Sequence, residues 1–313
     1  MTTARASKEK KGLSTGMKVA IGFLVLTTIM IILFAIFGSA GRNNEFKPQN
    51  EFKLDAWLPI HIGGIDLSLN KAVLYLWLSV TLTTVTMVWV AKRMQMKPTN
   101  NVQTAVETAY DFANNTIVRS NMGEGLATKW FPFIASLFFF ILFSNLIGYL
   151  PLPINTQEPI HVFGLELPAL AIYAATANIS IPLVLTLVVW FSYQIEGVRA
   201  KGFFGYLKSW IPSGVEGFAR FPIFGIEVIS HFVRIISLSV RLFANLLAGH
   251  LLILFMGGGL VVLLGLAVLG VFTLPVAIAF FVFEVVLIAT LQAFIFATLT
   301  AIYLGGATAE GGH

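Results

Sequence analysis

Six polar side chains recur every three or four residues within an apolar stretch in the last third of the chain. In an α-helix this spacing places them along one stripe. Such a stripe can line an aqueous path into a membrane, or it can be a stack of internal ion pairs such as Glu227 with Arg234, and both can hold at once. The six residues are Glu227, His231, Arg234, Ser237, Arg241 and Asn245.

Arg241 carries a permanent charge, because its guanidinium stays protonated at any accessible pH. No acidic residue stands three or four positions away from it. Its partner is therefore expected elsewhere, either a carboxylate on another subunit or water in a cavity. From spacing alone a structural role, in which Gln292 and Asn245 hold the arginine by hydrogen bonds, is equally well supported.

His250 and Glu284 are two further ionisable residues of this region. His250 stands nine residues after Arg241, about 13 Å along a helix, and Glu284 stands eight residues before Gln292, about 12 Å by the same rise. If the two helices form a hairpin, these depths agree, and the turn falls between residues 265 and 270. His250 and Glu284 are then expected to form an acid–base pair in the outer half of the membrane, with Arg241 and Gln292 at its centre.

This pattern suits two ionisable half-paths separated by a fixed positive charge. Histidine and glutamate exchange protons with water near neutral pH when their pKa values are shifted toward each other. Arginine cannot release its proton. A proton that reaches the centre must therefore leave on another carrier.

The composition that surrounds these residues is that of a membrane protein. Hydrophobic residues make up 57% of the 313 positions and charged residues 11%, with a mean hydropathy of +0.84. Because backbone groups in lipid must be satisfied internally, long apolar runs predict transmembrane helices and an all-α fold in one membrane domain. The predicted spans are Met17 to Phe37, Val73 to Ala91, Trp130 to Leu150, Ala169 to Tyr193, and a long stretch from Pro222 to Leu304.

The basic residues indicate topology rather than nucleic-acid binding. With a cytoplasmic N-terminus, most Lys and Arg fall in the inner segments 1–18, 92–129 and 194–221, and none falls in the outer loop 151–168. The first span could instead be a signal peptide, since Gly38-Ser39-Ala40 offers small residues at a cleavage site; its length favours a retained helix. Residues 102–118 show the spacing of an amphipathic helix at the cytoplasmic interface.

These features predict an all-α polytopic membrane protein with a long C-terminal helical hairpin packed on a transmembrane bundle. From Arg241 to the predicted turn would be about 38 Å of straight helix, too long for half a bilayer, so the hairpin is expected to be tilted. The predicted organisation is a basic segment, extra helix and outer loop over 1–72, a membrane domain over 73–305, and a short polar tail over 306–313.

Two C-terminal motifs resemble subunit a of the membrane sector of F-type ATP synthases: Ser239 to His250 and Leu291 to Tyr303. The resemblance extends upstream to three further segments, Asn145 to Pro151, Ala175 to Ser180 and Gln103 to Glu107. It implies that Arg241 is the essential arginine facing the c-ring carboxylate, with Asn245 and Gln292 as polar neighbours. It also implies that Glu227 belongs to a cytoplasmic half-channel and His250 with Glu284 to an outer one. We place His231, Arg234 and Ser237 on the cytoplasmic path.

The chain departs from the family pattern at three positions. Ala244 stands where many members have glycine. Many members carry an acid at the position of His250 and a histidine near that of Glu284, so the two residue types are exchanged here. Glu284 also stands about one residue off the register expected from Gln292. The exchange preserves an acid and a base in the pair.

The resemblance implies a proton-translocating stator subunit that is not catalytic alone and lies in the inner membrane of a bacterium. Its expected partners are the c ring, peripheral-stalk subunit b, protons and the lipid bilayer, without a cofactor, a metal or nucleic acid. A secondary transporter or channel would normally close its binding site within its own bundle. An intramembrane enzyme is disfavoured, since neither a His-Glu-x-x-His zinc motif nor a phosphate-binding loop occurs in the sequence.

Overall fold

The computed structural model describes residues 52–63, 65–93, 101–211, 217–259 and 270–309, together with nine isolated positions between 17 and 35. The predicted first span lies outside the described residues apart from those positions, and the predicted turn lies outside them apart from Gly270.

Between His61 and Thr308 the described residues form eight α-helices and two β-hairpins. Three π-helical segments extend or join the helices: Phe112–Arg119 continues α2, Phe255–Gly259 continues α6, and Glu284–Ile288 joins α7 to α8. The helices are α1 (Lys71–Arg93), α2 (Asn101–Asp111), α3 (Glu124–Gly148), α4 (Ser180–Lys201), α5 (Phe203–Ser209), α6 (Arg220–Leu254), α7 (Gly270–Phe283) and α8 (Ala289–Thr308), and the strands are β1 (His61–Ile62), β2 (Ile65–Asp66), β3 (Leu152–Val162) and β4 (Leu165–Ala171).

Five helical segments of the described chain are long and apolar enough to cross a membrane, which confirms the all-α polytopic fold. They are Lys71–Trp89, Glu124–Gly148, Ser180–Lys201, Gly217–Gly259 and Thr273–Thr308. The fourth segment has 43 residues, so it is about 65 Å long against a hydrocarbon core of about 30 Å. It is therefore about twice as long as a helix that crosses the core along the membrane normal, and the predicted tilt stays a prediction.

The two long segments run antiparallel, as predicted from the symmetry of the hairpin. The Arg234 guanidinium lies 5.1 Å from the centre of the Tyr303 ring. Fifteen residues further along α6, a Cβ built on Gly249 would meet the Glu284 carboxylate. The predicted register between the regions of His250 and Glu284 is therefore confirmed.

Helices α3, α4, α6 and α8 share one apolar core. Helix α8 contributes the small buried residues Ala293 and Ala297, and α6 contributes Leu242 and Leu246. Small residues let helix backbones approach closely where lipid offers no hydrophobic driving force between helices. This core sets which side chains of α6 face inward and which face out.

The predicted start of the fourth span, Ala169, is wrong. Residues Leu165–Ala171 form strand β4, which pairs antiparallel with β3, and the helix begins at Ser180. The strands join through Phe163 and Gly164, with φ values of 51° and 83°, as a two-residue hairpin turn requires. A short apolar run fits a strand or a helix equally well, so hydropathy merged the two elements.

The predicted interfacial segment 102–118 is helical, formed by α2 and its π-helical continuation to Arg119. Ala113, Ile117 and Val118 are buried against the bundle. Within α2 the Gln103 side chain is also buried and donates a 2.6 Å hydrogen bond from Nε2 to Glu107 Oε1. The inner face of this segment therefore packs on the transmembrane helices.

Candidate functional site

The polar stripe of α6 begins with an ionic cluster. Glu227 Oε1 lies 3.4 Å from Arg234 Nη2 and 3.8 Å from His231 Nε2. The ion pair between Glu227 and Arg234 that the spacing suggested is thus present. The side chains of Glu227 and Arg234 are each about one third exposed, so their pairing remains accessible to water.

His231 is packed against three aromatic side chains. The Tyr193 hydroxyl on α4 lies 3.0 Å from His231 Nδ1, and Trp190 Nε1 donates a 3.2 Å hydrogen bond to the His231 backbone oxygen. The Trp210 ring lies 4.3 Å from the imidazole, centre to centre. The histidine ring is therefore fixed in orientation and is only 5% exposed.

Arg241 occupies the opposite environment. Its side chain is exposed, and among the residues that the structure describes it makes no hydrogen bond or ion pair. Asn245 is exposed on the same side of α6, whereas Gln292 is buried in the bundle. The structural alternative, in which Gln292 and Asn245 hold the arginine, is therefore not found.

The stripe spans two environments rather than one. His231 lies at its inner edge and is buried, whereas Ser237 and Arg241 lie at its outer edge and are exposed. The separation arises because the six positions cover about 120° of the helix circumference at 100° per residue. Inner and outer edges can therefore serve different partners.

A second cluster lies at the other end of the bundle, built around His250 and Glu284. Both side chains are buried. The Tyr149 hydroxyl donates a 3.1 Å hydrogen bond to Glu284 Oε2, and the Tyr149 ring stacks on His250 with 4.7 Å between ring centres. Among the described side chains no ion pair joins His250 directly to Glu284. Tyr149 connects the acid and the base instead.

Both nitrogens of His250 face carbonyl oxygens. Nδ1 lies 2.8 Å from the Leu246 oxygen and Nε2 lies 3.1 Å from the Gly148 oxygen. A neutral imidazole can donate only one hydrogen bond, whereas an imidazolium can donate both. An imidazolium at this position would therefore have a carbonyl acceptor for each of its two N–H groups.

The π-helical turn at Glu284–Ile288 explains the register of Glu284 relative to Gln292. Eight residues of regular α-helix turn the direction of a side chain by about 80°. A π-turn absorbs about one residue, so the effective separation is seven steps, which brings the two directions to within about 20° of each other. Glu284 and Gln292 both face the interior as a result.

Asn145 on α3 stabilises the cluster of His250 and Glu284. Its Nδ2 donates a 3.2 Å hydrogen bond to the Ala289 oxygen, directly after the π-turn, and its Oδ1 accepts a 2.9 Å hydrogen bond from Thr176. Since Asn145 is fully buried, these bonds tie the end of α3 to the helix that carries Glu284. The position of the carboxylate is thus set by three separate segments.

A family model described as the ATP synthase A chain matches residues 73–305, which is most of this chain and includes both clusters. The chain belongs to the ATP synthase A chain family. Among the relatives of this chain, an ATP synthase subunit a of Rhodopseudomonas palustris is 35% identical over 270 residues, covering 84% of this chain and 98% of that protein. An ATP synthase subunit a of Brucella ovis is 34% identical over 268 residues, with the same coverage.

In this member of the ATP synthase A chain family, two tyrosines contact the ionisable residues, and sequence reasoning missed both of them. Tyr149 stands 135 positions from Glu284, and Tyr193 stands 38 positions from His231. Neither tyrosine belongs to the polar stripe or to the two C-terminal motifs. The quoted segment Asn145 to Pro151 contains Tyr149 and was the only available signal for it.

Proposed function

We propose that this chain is the proton-translocating stator subunit of an F-type ATP synthase, forming two offset half-channels against the c ring and coupling proton flow to rotation. One observation carries the proposal. Arg241 is exposed on the outer edge of α6, without a partner in the described part of the chain, and a cluster of histidine, glutamate and tyrosine lies to each side of it along that helix. Its membership of the ATP synthase A chain family supports the same conclusion.

The proposed path uses the two clusters in sequence. A proton enters by the side of His250 and Glu284 and neutralises a carboxylate of the ring. The ring then carries that proton through nearly a full rotation. Near Arg241 the carboxylate gives up its proton to the cytoplasmic path toward Glu227, because the fixed positive charge favours the ionised form. The chain itself makes and breaks no covalent bond.

The partners follow from this geometry and from the family. The exposed edge of α6, with Ser237, Arg241 and Asn245, faces the c ring, and subunit b of the peripheral stalk holds the chain against rotation. The five apolar segments place it in a bilayer as a multi-pass protein. For a protein resembling bacterial subunits a, that bilayer is the inner membrane of a bacterium.

The transporter alternative fits the geometry less well. A closed transporter site would supply its own counter-charge to a cation at mid-membrane. Within the described ranges no carboxylate approaches Arg241, whereas Arg234 has Glu227. An external carboxylate is therefore the better match for Arg241.

Removing the acid of either half-path tests the proposal. In inverted vesicles carrying the assembled complex, Glu284→Gln and Glu227→Gln are each expected to lower ATP-driven proton pumping about tenfold, because an amide cannot carry a proton. Glu166→Gln is the matched control, since Glu166 lies exposed on the β3–β4 hairpin. Wild-type pumping in both Glu284→Gln and Glu227→Gln would contradict the proposed path.

Tyr149→Phe is expected to lower pumping by a smaller factor, about fivefold, while leaving assembly intact. The phenyl ring preserves the stacking on His250, and the change removes only the hydrogen bond to Glu284, an interaction worth about 1 kcal/mol or somewhat more. Pumping in vesicles measures the effect. Tyr110→Phe serves as control, because that ring is exposed on α2 and meets Phe131 edge to face. Equal pumping by the two variants would show that the bridge has no role.

A further inference from the structure

Four side chains near the start of α6 are linked by polar contacts. The Tyr193 hydroxyl lies 3.0 Å from His231 Nδ1. His231 Nε2 lies 3.8 Å from Glu227 Oε1, and the same oxygen lies 3.4 Å from Arg234 Nη2. These contacts join α4 to three successive turns of α6.

The position of the imidazole proton follows from the neighbour of each nitrogen. A carboxylate paired with arginine only accepts hydrogen bonds, so Glu227 favours a proton on Nε2, the nitrogen that faces it. Nδ1 of the neutral ring then carries a lone pair, and the Tyr193 hydroxyl donates its one proton to that nitrogen.

Aromatic side chains from α4 and from the end of α5 pack against the rest of the His231 imidazole. Trp190 and Trp210 pack on or beside the imidazole and keep it in place. The ring of Tyr193 lies nearly parallel to it, with centres 5.7 Å apart and 27° between planes. The titratable or charged groups next to His231 are Tyr193 from α4 and Glu227 and Arg234 from α6 itself. Two further tyrosines lie one residue away: Tyr206 of α5 contacts Trp210, and Tyr303 of α8 contacts Tyr193.

We propose that Tyr193 is a positioning residue that holds His231 in the Nε2–H tautomer, with its N–H dipole directed at the Glu227 carboxylate. Tyr193 thereby fixes the direction in which the imidazole N–H points on the proposed exit path. The inference rests on the proposed function for its physiological meaning, but the tautomer can be observed without it.

The tautomer is tested by nitrogen-15 NMR of histidine-labelled, assembled complex in membranes, with the His231 signal assigned by its loss in His231→Gln. The wild type is expected to show a neutral ring protonated at Nε2. Tyr193→Phe keeps the aromatic packing and is expected to lower the Nε2–H fraction at least twofold. Tyr303→Phe is the matched control, because its hydroxyl makes no hydrogen bond within the described ranges and its ring still packs under Arg234. A wild-type ring protonated at Nδ1 or at both nitrogens, or an unchanged Tyr193→Phe spectrum, would overturn the proposal.

A second measurement follows the consequence for transport. ATP-driven proton pumping in inverted vesicles is compared between Tyr193→Phe and Tyr303→Phe, and Tyr193→Phe is expected to pump about twofold more slowly, since part of the molecules lose the N–H that points at Glu227. A rate identical to that of Tyr303→Phe would refute the positioning role. Arg241→Ala in the same vesicles separates the two levels: pumping near the wild-type rate in Arg241→Ala contradicts the proposed function, whereas an unchanged Tyr193→Phe rate contradicts only this inference.

Discussion

Arg241→Ala is expected to abolish ATP-driven proton pumping while the complex still assembles. The arginine is exposed and makes no hydrogen bond or ion pair with the described residues, so its removal breaks no internal contact of the fold that we see. What is lost is the charge that attracts the ionised carboxylate of the ring. Losing a charge partner in a low-dielectric site costs at least about 3 kcal/mol, which corresponds to a decrease of about 100-fold or more in rate. Acidification of inverted vesicles measures it.

Arg199→Ala is the matched control for this prediction. Arg199 is also an exposed arginine, but it lies in the last turn of α4, away from the stripe. The complex with Arg199→Ala is expected to pump protons at the wild-type rate. Intact pumping by Arg241→Ala would return Arg241 to a structural role, and failure of the variant to assemble would show that the arginine supports the fold. Either result would remove the observation on which the proposed function rests.

Gly249→Ala is expected to lower pumping by about tenfold or more, the second largest effect. A Cβ at this position would meet the carboxylate of Glu284 and both of its oxygens at less than contact distance. Glu284 would have to move away from α6, and with it the hydrogen bond from Tyr149 would be strained. Such overpacking costs about 1–3 kcal/mol. The pumping rate and the amount of the subunit retained in the membrane are measured together.

Gly225→Ala controls for the change of residue type within the same helix, because a Cβ there meets no atom within 4 Å. Alanine stabilises a helix relative to glycine by up to about 1 kcal/mol, so Gly225→Ala is expected to be neutral or slightly stabilising. If both variants pump normally, Glu284 does not depend on its present position against α6. If both fail equally, the effect belongs to helix α6 in general.

The sequence by itself determined the fold class, most of the spans and the register of the C-terminal hairpin. Each of these depends on local spacing: apolar length predicts a span, and the fixed helical rise predicts that His250 and Glu284 lie at equal depth. The contact of Gly249 with Glu284 confirms that depth. The roles of Arg241 and its neighbours in proton transfer stay predictions, since they require the partner ring.

Only the tertiary structure decided which side of the stripe faces the core, where the fourth span begins, and how the ionisable residues are connected. The sequence placed Glu227, His231 and Arg241 on one stripe, but the packing of α4 and α8 buries His231 and leaves Arg241 exposed. It likewise predicted a direct pair of His250 with Glu284, whereas Tyr149 connects them. The physical reason is the same in each case. A helix repeats its own geometry every few residues, whereas the side chain that completes a hydrogen bond comes from a helix brought near by packing, at a sequence distance that no local period encodes.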